Sequence, residues 1–405
     1  WRIVFLRPLG LRLSEVAENR VTENKTAGNT VAESKVTDNK ITGNTVTKRK
    51  KGRYLYMDIL NIMACFCVVF IHHSNTLVAR YSDTPLWREG LVIECGMYWV
   101  VPAFVMISGA NLLNYRKKYT TAEFLKKRFL RTVVPFLIWS VVYLVWKVQT
   151  EQMVLDSHDP VDIFNIIINY REQAIFWYFI PLFGCYLAMP IFSLAADNRR
   201  LLWYATGVNF FFVSVVPVLK TLFGLNISMA VPISGGLMIF VLLGYLLATA
   251  DLKVWQRLIC YVLGIAGVSF RYIYTLKKSA EIGKYDTSIK GCSMFYNVFF
   301  AVGIFVLIKS IPWDRFIKGT GVKIISAISG CSFGVYLIHK ILMYYAEKNL
   351  DIDIMSRTWR YGMPFAIYFS AVLIVFIVRK IPVIRMQMPG RSGEMAALVT
   401  SLLQM

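Results

Sequence analysis

The sequence predicts an all-α, polytopic membrane protein with about ten transmembrane helices and both termini in the cytoplasm. Hydrophobic residues make up 56% of the 405 residues and charged residues only 17%, and the mean hydropathy is +0.51. A soluble domain of this length would carry more charge. The apolar residues are also gathered into blocks of about 20, the length that crosses the hydrocarbon core of a bilayer.

Ten such blocks follow one another along the chain, and each is interpreted as one span. They cover residues 55–74, 91–113, 132–148, 175–194, 201–219, 231–250, 256–275, 292–310, 324–346 and 363–379. The blocks at 201–219 and 231–250 are the hardest to separate, because the linker between them is itself fairly apolar.

The basic residues behind the net charge of +21 are placed at the ends of spans. They precede the first span, fill the connection between spans two and three, and follow the last span, whereas the connection between spans three and four is mainly acidic. Lys and Arg concentrate on the cytoplasmic side of membrane proteins, so this pattern and the even span count place both termini inside. We therefore expect these basic residues to interact with the lipid bilayer and not with nucleic acid.

Residues 1–53 differ from the membrane domain predicted at 54–405. A five-residue period there doubles into two related segments, VAENRVTENKTAGNT and VAESKVTDNKITGNT. Because this period matches neither helix nor strand amphipathicity, we expect a basic, polar and disordered cytoplasmic arm. Any active site must then be built from the spans and their short connections.

The seven cysteines all fall in or beside apolar blocks. They show neither paired CxxC motifs nor the Cys–His spacing of a zinc site. We interpret them as small apolar packing residues and expect no metal.

The first span carries a polar stripe that ends in a histidine. Asp58, Asn61, Cys65 and His72 follow one another at helical spacing and share one face. A polar stripe on a spanning helix should face protein or a water-filled cavity, and ionisable groups kept at membrane ends are functional candidates. The alternative for His72 is a headgroup-level histidine satisfied by water.

Three further ionisable residues fall in the outer halves of their spans. Glu94, Arg271 and His339 are candidates to converge with His72, although a structural role is slightly favoured for each. Tyr336 lies three residues before His339 and therefore on the same helical face.

At the inner face, Arg128 and Arg131 stand three residues apart just before the third span. Two guanidiniums on one face suit a phosphorylated ligand, because each offers planar, bidentate donors. Ordinary positive-inside anchoring is the alternative, and composition alone favours it. Ser108, beside Gly109, permits close approach of a neighbouring helix or a ligand.

Four segments together resemble one family, the integral-membrane acyltransferase 3 proteins. They are MDILNIMACFCVVFIHHSN (57–75), VPAFVMISGANLL (101–113), FLKKRFLRTVVPFL (124–137) and SFGVYLIH (332–339), with a less similar fifth at FWYFIPLFGCYLAMP (176–190). Members of this family are ten-span enzymes that O-acetylate surface polysaccharides, peptidoglycan or related glycans. The resemblance implies that the chain is a multi-pass protein of a bacterial plasma membrane.

The resemblance also implies roles for individual residues. His72 would be the catalytic histidine, and Arg128 and Arg131 would help to hold the acyl donor, expected to be acetyl-coenzyme A. The family has an arginine eleven residues before the histidine, where this chain has Asn61. An amide does not neutralise a phosphate, so the departure bears on donor binding.

These observations lead to one hypothesis and two alternatives. In the hypothesis, acetyl-coenzyme A binds from the cytoplasm, its pantetheine arm follows the polar stripe of span one, and His72 activates a hydroxyl of a glycan or lipid-linked sugar outside. A carrier of a small solute would explain the spans and the polar stripe equally well, but the two halves of the chain show no clear similarity. A non-catalytic membrane sensor of the same fold is the third possibility, and Asn61 is its best support.

Overall fold

The structure is a computed structural model that describes residues 54–380 with the exception of 158, 226, 228, 230 and 232–234. The predicted arm at 1–53 and the residues beyond 380 lie outside this described part. Within it, the regular structure is helical and contains no strand, which confirms the all-α class.

Fifteen α-helices are described and are numbered here in chain order. They are α1 (Leu55–Ala79), α2 (Pro85–Gly96), α3 (Val100–Leu112), α4 (Thr121–Arg128), α5 (Val134–Gln149), α6 (Pro160–Ile168), α7 (Phe179–Leu194), α8 (Arg199–Asn209), α9 (Val216–Phe223), α10 (Met238–Thr249), α11 (Val254–Ile282), α12 (Phe295–Ser310), α13 (Trp313–Phe316), α14 (Thr320–Asn349) and α15 (Met363–Val378).

Eight helical segments of the described residues are long and apolar enough to cross a membrane. They are Leu55–Ala79, Pro85–Lys117, Thr121–Gln149, Ala174–Leu194, Arg199–Phe223, Val254–Ile282, Thr320–Asn349 and Thr358–Val378. Two shorter apolar helices, α10 and α12, coincide with the predicted blocks at 231–250 and 292–310. The chain is therefore a multi-pass membrane protein, and the count of ten spans stays a prediction.

Local sequence explains where several helices begin and bend. Thr84 caps α2 by accepting a hydrogen bond from the backbone of Trp87, and Pro85 occupies the first turn, where its missing N–H costs nothing. Three π-helical turns, at Phe129–Val133, Phe210–Val215 and Thr358–Gly362, each run directly into a helix with a proline in its first turn. A proline ring collides with the carbonyl four residues earlier in a regular helix, and the wider π turn relieves that collision.

The centre of the bundle is α10, whose residues from Met238 to Leu247 are all buried. A helix that is apolar on every side belongs inside a bundle. Its close partner is α3, because a Cβ added at Gly109 would lie 2.1 Å from the Val241 carbonyl oxygen and one added at Gly244 would lie 2.1 Å from that of Met106. Gly109, the residue beside Ser108, therefore allows α3 and α10 to pack closely.

The helix α1 packs against α2, α3, α14 and α15. This arrangement brings the histidine end of α1 next to α14, which carries His339, and places the acidic end of α1 against the first half of α14.

Candidate active site

His72 lies about two turns before the end of α1 and is half-buried. The Nδ2 atom of Asn75 is 3.1 Å from its Nδ1 atom. Asn75 follows at the i+3 position and therefore shares a helical face with His72. It is the nearest polar partner of the histidine on its own helix.

The second member of the site is His339 on α14, which is fully buried. Its ring is stacked on that of His72, with centroids 5.3 Å apart and an angle of 29° between the planes. The Nδ1 atom lies 2.7 Å from the carbonyl oxygen of Tyr336 and 3.2 Å from that of Val335. Because both partners can only accept, Nδ1 carries the proton of the neutral ring and Nε2 carries the lone pair.

Tyr336 supports this position from one turn earlier. Its hydroxyl donates a hydrogen bond to the backbone carbonyl of Ile175, and its ring centroid lies 6.0 Å from that of His339. Tyr336 therefore ties α14 to the start of the segment that contains α7.

His73 has a different environment from His72. It is buried, its Nδ1 donates to the Val69 carbonyl oxygen at 2.8 Å, and its ring packs 5.1 Å from that of Trp359. These contacts hold α1 against the π turn before α15. Of the two adjacent histidines, only His72 combines partial exposure with a neighbouring histidine.

Glu94 and Arg271 form a buried ion pair between α2 and α11. The Nη2 atom of Arg271 is 2.6 Å from Glu94 Oε2, and the two side chains are 2% and 1% exposed. The guanidinium also lies 3.8 Å from the ring centroid of Tyr98, and Lys290 Nζ lies 3.6 Å from Glu94 Oε1. Lys290 therefore shares the Glu94 carboxylate with Arg271.

The structure thus brings the four outer candidates together as two contacting pairs. Lys290 was not singled out as a site residue by sequence reasoning, since it is one of four lysines in the connection at 276–291. Its signal was this group of positive charges, which fits less well in a connection predicted to lie outside.

The polar stripe of α1 contacts protein along most of its length. The Asn61 amide donates to the backbone oxygen of Ser329 at 2.9 Å, and it lies 3.0 Å from the hydroxyls of both Ser329 and Ser332. Ser329 in turn donates to Asp58 at 2.8 Å, and Cys65 donates to the Ser332 carbonyl oxygen at 3.4 Å. The Asn61 side chain is therefore engaged between α1 and α14.

At the other end of the bundle, Arg128 is half-buried beside aromatic rings. Its guanidinium carbon lies 5.9 Å from the ring centroid of Phe124 and 5.8 Å from that of Tyr186. The Tyr186 hydroxyl is within hydrogen-bonding reach of both Ser108 and Arg128. No carboxylate of the described residues lies within salt-bridge distance of Arg128.

Arg131 follows in the π turn Phe129–Val133, half-buried and in electrostatic contact with Arg128. Arg128 and Ser108 therefore meet at Tyr186, and Arg131 lies close to Arg128. Sequence reasoning did not single out Tyr186, which lies within the fifth and least similar segment. Two half-buried cations side by side repel each other. An anionic ligand with several oxygens would relieve this repulsion by bonding to both guanidiniums.

Successive spans cross the membrane in opposite directions, so the start of the third span lies at the same face as the start of the first. His72 lies about 26 Å along α1 from Leu55, at 1.5 Å per residue. The arginine pair and the histidine pair therefore lie near opposite ends of the bundle. Among the residues that the structure describes, no group of three or more His, Cys, Asp or Glu could hold a metal ion.

Comparison with known proteins gives one match. The model of the acyltransferase 3 family, described as an acyltransferase domain, matches residues 54–379. No curated protein and no solved structure matches the chain.

Proposed function

The chain belongs to the acyltransferase 3 family, and from this premise we propose that it moves an acyl group, acetyl in the simplest case, from cytoplasmic acyl-coenzyme A to a hydroxyl of a glycan or lipid-linked sugar at the outer face of a bacterial plasma membrane. The coarser statement, a membrane acyltransferase, follows from the family and the helical fold together.

One observation carries the finer proposal. A half-buried, partly accessible histidine lies at one end of the bundle, and two half-buried guanidiniums lie at the other. This separation suits a long donor whose phosphates and reactive thioester are far apart. A carrier of a small solute would not need a stacked histidine pair at one face and a guanidinium pair at the other.

In the proposed reaction, His72 removes the proton from the acceptor hydroxyl through Nε2. The hydroxyl oxygen attacks the thioester carbonyl, the new ester C–O bond forms, and the C–S bond breaks. The proton held by the imidazolium passes to the departing thiolate, which leaves as the coenzyme A thiol. A histidine is suited to this step because one imidazole nitrogen can accept a proton and return it to the leaving group.

The orientation of Asn75 decides whether Nε2 is free to act. With the side-chain nitrogen of Asn75 toward the ring, Nδ1 must accept and the proton lies on Nε2. With the side-chain oxygen toward the ring, Nδ1 donates and Nε2 holds the lone pair. We propose that the second orientation, which the nearly isosteric amide reaches by a half-turn, is the active one.

On the donor side, Arg128 and Arg131 are proposed to bind the phosphates of coenzyme A. Because Asn61 is engaged by Ser329 and Ser332, we propose that the pantetheine arm passes along Ser108 and Tyr186 rather than between α1 and α14. Glu94 and Arg271 are too deeply buried to touch an acceptor and would act by holding α2 against α11.

The test is transfer of radiolabelled acetyl groups in membrane vesicles whose cytoplasmic face is open to acetyl-coenzyme A. Extracted envelope glycans serve as a panel of acceptors, and a His72→Ala variant is the control. Label in a glycan that depends on His72 supports the proposal. Absence of label with every glycan, together with counterflow uptake of a solute in liposomes, would favour the carrier instead. Absence of both would favour a non-catalytic member, for which Asn61 in place of the family arginine is the specific argument.

A further inference from the structure

A groove on the flank of the bundle lies between α14 and α15 and has a volume of about 340 Å³. Its walls are apolar and include Ala327, Ile328 and Cys331 from α14 with Phe369, Leu373 and Phe376 from α15. The side chains of Phe369, Leu373 and Phe376 are exposed, at 60%, 60% and 49%. In a membrane protein, an exposed apolar groove between two spanning helices faces hydrocarbon chains.

Two cations border this groove. Arg379 directly follows the last residue of α15, and its Nη1 atom lies 3.9 Å from Cys331 Sγ. The same atom lies 3.0 Å from the point where a Cβ would stand on Gly330, so the absence of a side chain there leaves room for the guanidinium. The Lys380 ammonium lies 5.6 Å from the ring centroid of Phe376. Cys331 and Phe376 both line the groove, so the two positive charges of Arg379 and Lys380 lie beside its apolar walls.

The charge of Arg379 has no carboxylate to balance it in the part of the chain that the structure describes. No described Asp or Glu lies within salt-bridge distance, and its Nε atom is buried without a hydrogen-bond partner among these residues. The side chain as a whole is half-buried. A guanidinium held next to hydrocarbon is costly unless an anion meets it.

We propose that α14 and α15 bind one anionic phospholipid, with an acyl chain in the groove and its phosphate on Arg379. A phosphodiester presents two oxygens that match the planar fork of a guanidinium, and Lys380 adds attraction for the net negative headgroup. Zwitterionic lipids carry a compensating cation and satisfy the two basic residues less well. The site is separate from the histidine pair, which lies toward the other end of α14.

The test is native mass spectrometry of the full chain in detergent, titrated with phosphatidylglycerol or with phosphatidylcholine of the same acyl chains. We expect one phosphatidylglycerol to be retained under conditions that remove phosphatidylcholine. Arg379→Gln should weaken retention about tenfold, the scale of one lost charge-assisted hydrogen bond. Lys348→Gln removes a positive charge from the last turn of α14, at the far end from the groove, where the ammonium lies over the Tyr344 ring, and should change nothing.

A second variant tests the apolar part of the site. Ala327→Phe fills the groove and keeps both cations, so it should also lose the lipid, while glycerol phosphate alone should not compete. Equal retention of the two lipids by the unaltered protein would overturn the proposal. So would unchanged phosphatidylglycerol binding by both Arg379→Gln and Ala327→Phe, or displacement by glycerol phosphate. The readout does not involve acyl transfer, so its outcome is independent of the proposed reaction.

Discussion

The imidazole rings of His72 and His339 are stacked with their centroids 5.3 Å apart, although they come from the first span and from a span near the end of the chain. His339 is fully buried and its Nδ1 donates to backbone carbonyls, whereas His72 is partly accessible and its Nδ1 lies 3.1 Å from the side-chain amide of Asn75. In this pair, the buried His339 holds the ring of His72 in position, and His72 is the histidine that is accessible to a substrate.

The first prediction concerns His72 itself. His72→Ala should lower the turnover number by a factor of about 10² to 10⁴, the usual contribution of a positioned general base. The Michaelis constant for acetyl-coenzyme A should stay nearly unchanged, because the site proposed for the donor phosphates lies at the other end of the bundle. The measurement is initial rate against donor concentration, on protein that elutes as a single folded species in detergent.

The adjacent histidine provides a matched control for this variant. His73→Ala removes the packing against Trp359 and should lower the thermal unfolding temperature, yet the folded fraction should retain its turnover number. Full activity of His72→Ala would remove His72 from the mechanism.

The second prediction tests the orientation of Asn75. An aspartate at this position can only accept from Nδ1, so Asn75→Asp should hold the lone pair on Nε2 and keep or raise the turnover number. Asn75→Leu, of similar size, leaves the tautomer unset and should lower the turnover number by about tenfold, equivalent to one neutral hydrogen bond of about 1.4 kcal/mol. Equal rates for Asp and Leu at this position would show that the contact does not orient the base.

The third prediction concerns the donor end. Arg128→Ala should raise the Michaelis constant for acetyl-coenzyme A by about tenfold or more, because a hydrogen bond between charged groups contributes about 1.5–3 kcal/mol. Lys126→Ala is the control, since Lys126 is exposed in the same last turn of α4 and bears the same charge. An equal effect of the two variants would indicate general attraction to the positive membrane face instead of a defined site.

The predictions from the sequence agree best with the structure where the length of an apolar segment determines whether it forms a spanning helix. The all-α class and the spans follow from apolar blocks, because a bilayer imposes a fixed length on each helix. The polar stripe on α1 was correctly expected to avoid lipid, but the sequence left open whether it meets a cavity or a helix. The partners of Asn61 are Ser329 and Ser332, and nothing in the local sequence of either helix specifies that they meet.

The pairing of outer residues shows the same limit. Glu94, Arg271, His72 and His339 were each visible as ionisable groups in apolar surroundings, yet which of them touch depends on how α2, α11 and α14 pack. Periodicity gives the face of a helix and not its neighbour. The π turn at Phe129–Val133 was also missed, since it arises from the proline that follows Arg131.

The fourth prediction concerns the stability of the Glu94–Arg271 pair. Arg271→Met leaves the buried Glu94 carboxylate with only the partly exposed Lys290, 3.6 Å away, as a cation, which should lower the free energy of unfolding by up to about 3–5 kcal/mol. The double variant Glu94→Gln with Arg271→Met should recover much of this loss, because the buried carboxylate is gone and the remaining Lys290 ammonium can reach solvent. Thermal unfolding in detergent measures both.

An exposed ion pair in the same part of the chain gives the comparison. Arg88 and Asp83 lie 2.7 Å apart with side chains that are 49% and 62% exposed, so solvent screens the pair and Arg88→Met should leave the unfolding temperature nearly unchanged. Comparable losses for Arg88→Met and Arg271→Met would contradict the structural role assigned to the buried pair.

The fifth prediction is a pH dependence that originates outside the spans, at Glu172. This residue lies in the connection before α7, is fully buried, and has Ser140 and Lys147 as polar neighbours. Burial raises the pKa of its carboxyl, and the nearby Lys147 only partly opposes this effect. In the unfolded chain the same group titrates near its ordinary pKa of about 4.3. Between the two pKa values the folded protein therefore binds more protons than the unfolded chain, so stability must fall as pH rises through that window.

Glu172→Gln should remove this contribution, because an amide stays neutral in both states. We expect the unfolding temperature of the unaltered protein in detergent to fall more steeply than that of Glu172→Gln as pH rises from about 4 through the window set by the raised pKa. Asp162→Asn is the control, since Asp162 is an exposed acid of the same connection and its removal should leave the slope in place. If Glu172→Gln and the unaltered protein kept the same slope, the carboxyl would have to be ionised in the folded state, and an additional cation would have to reach it from the residues around α5.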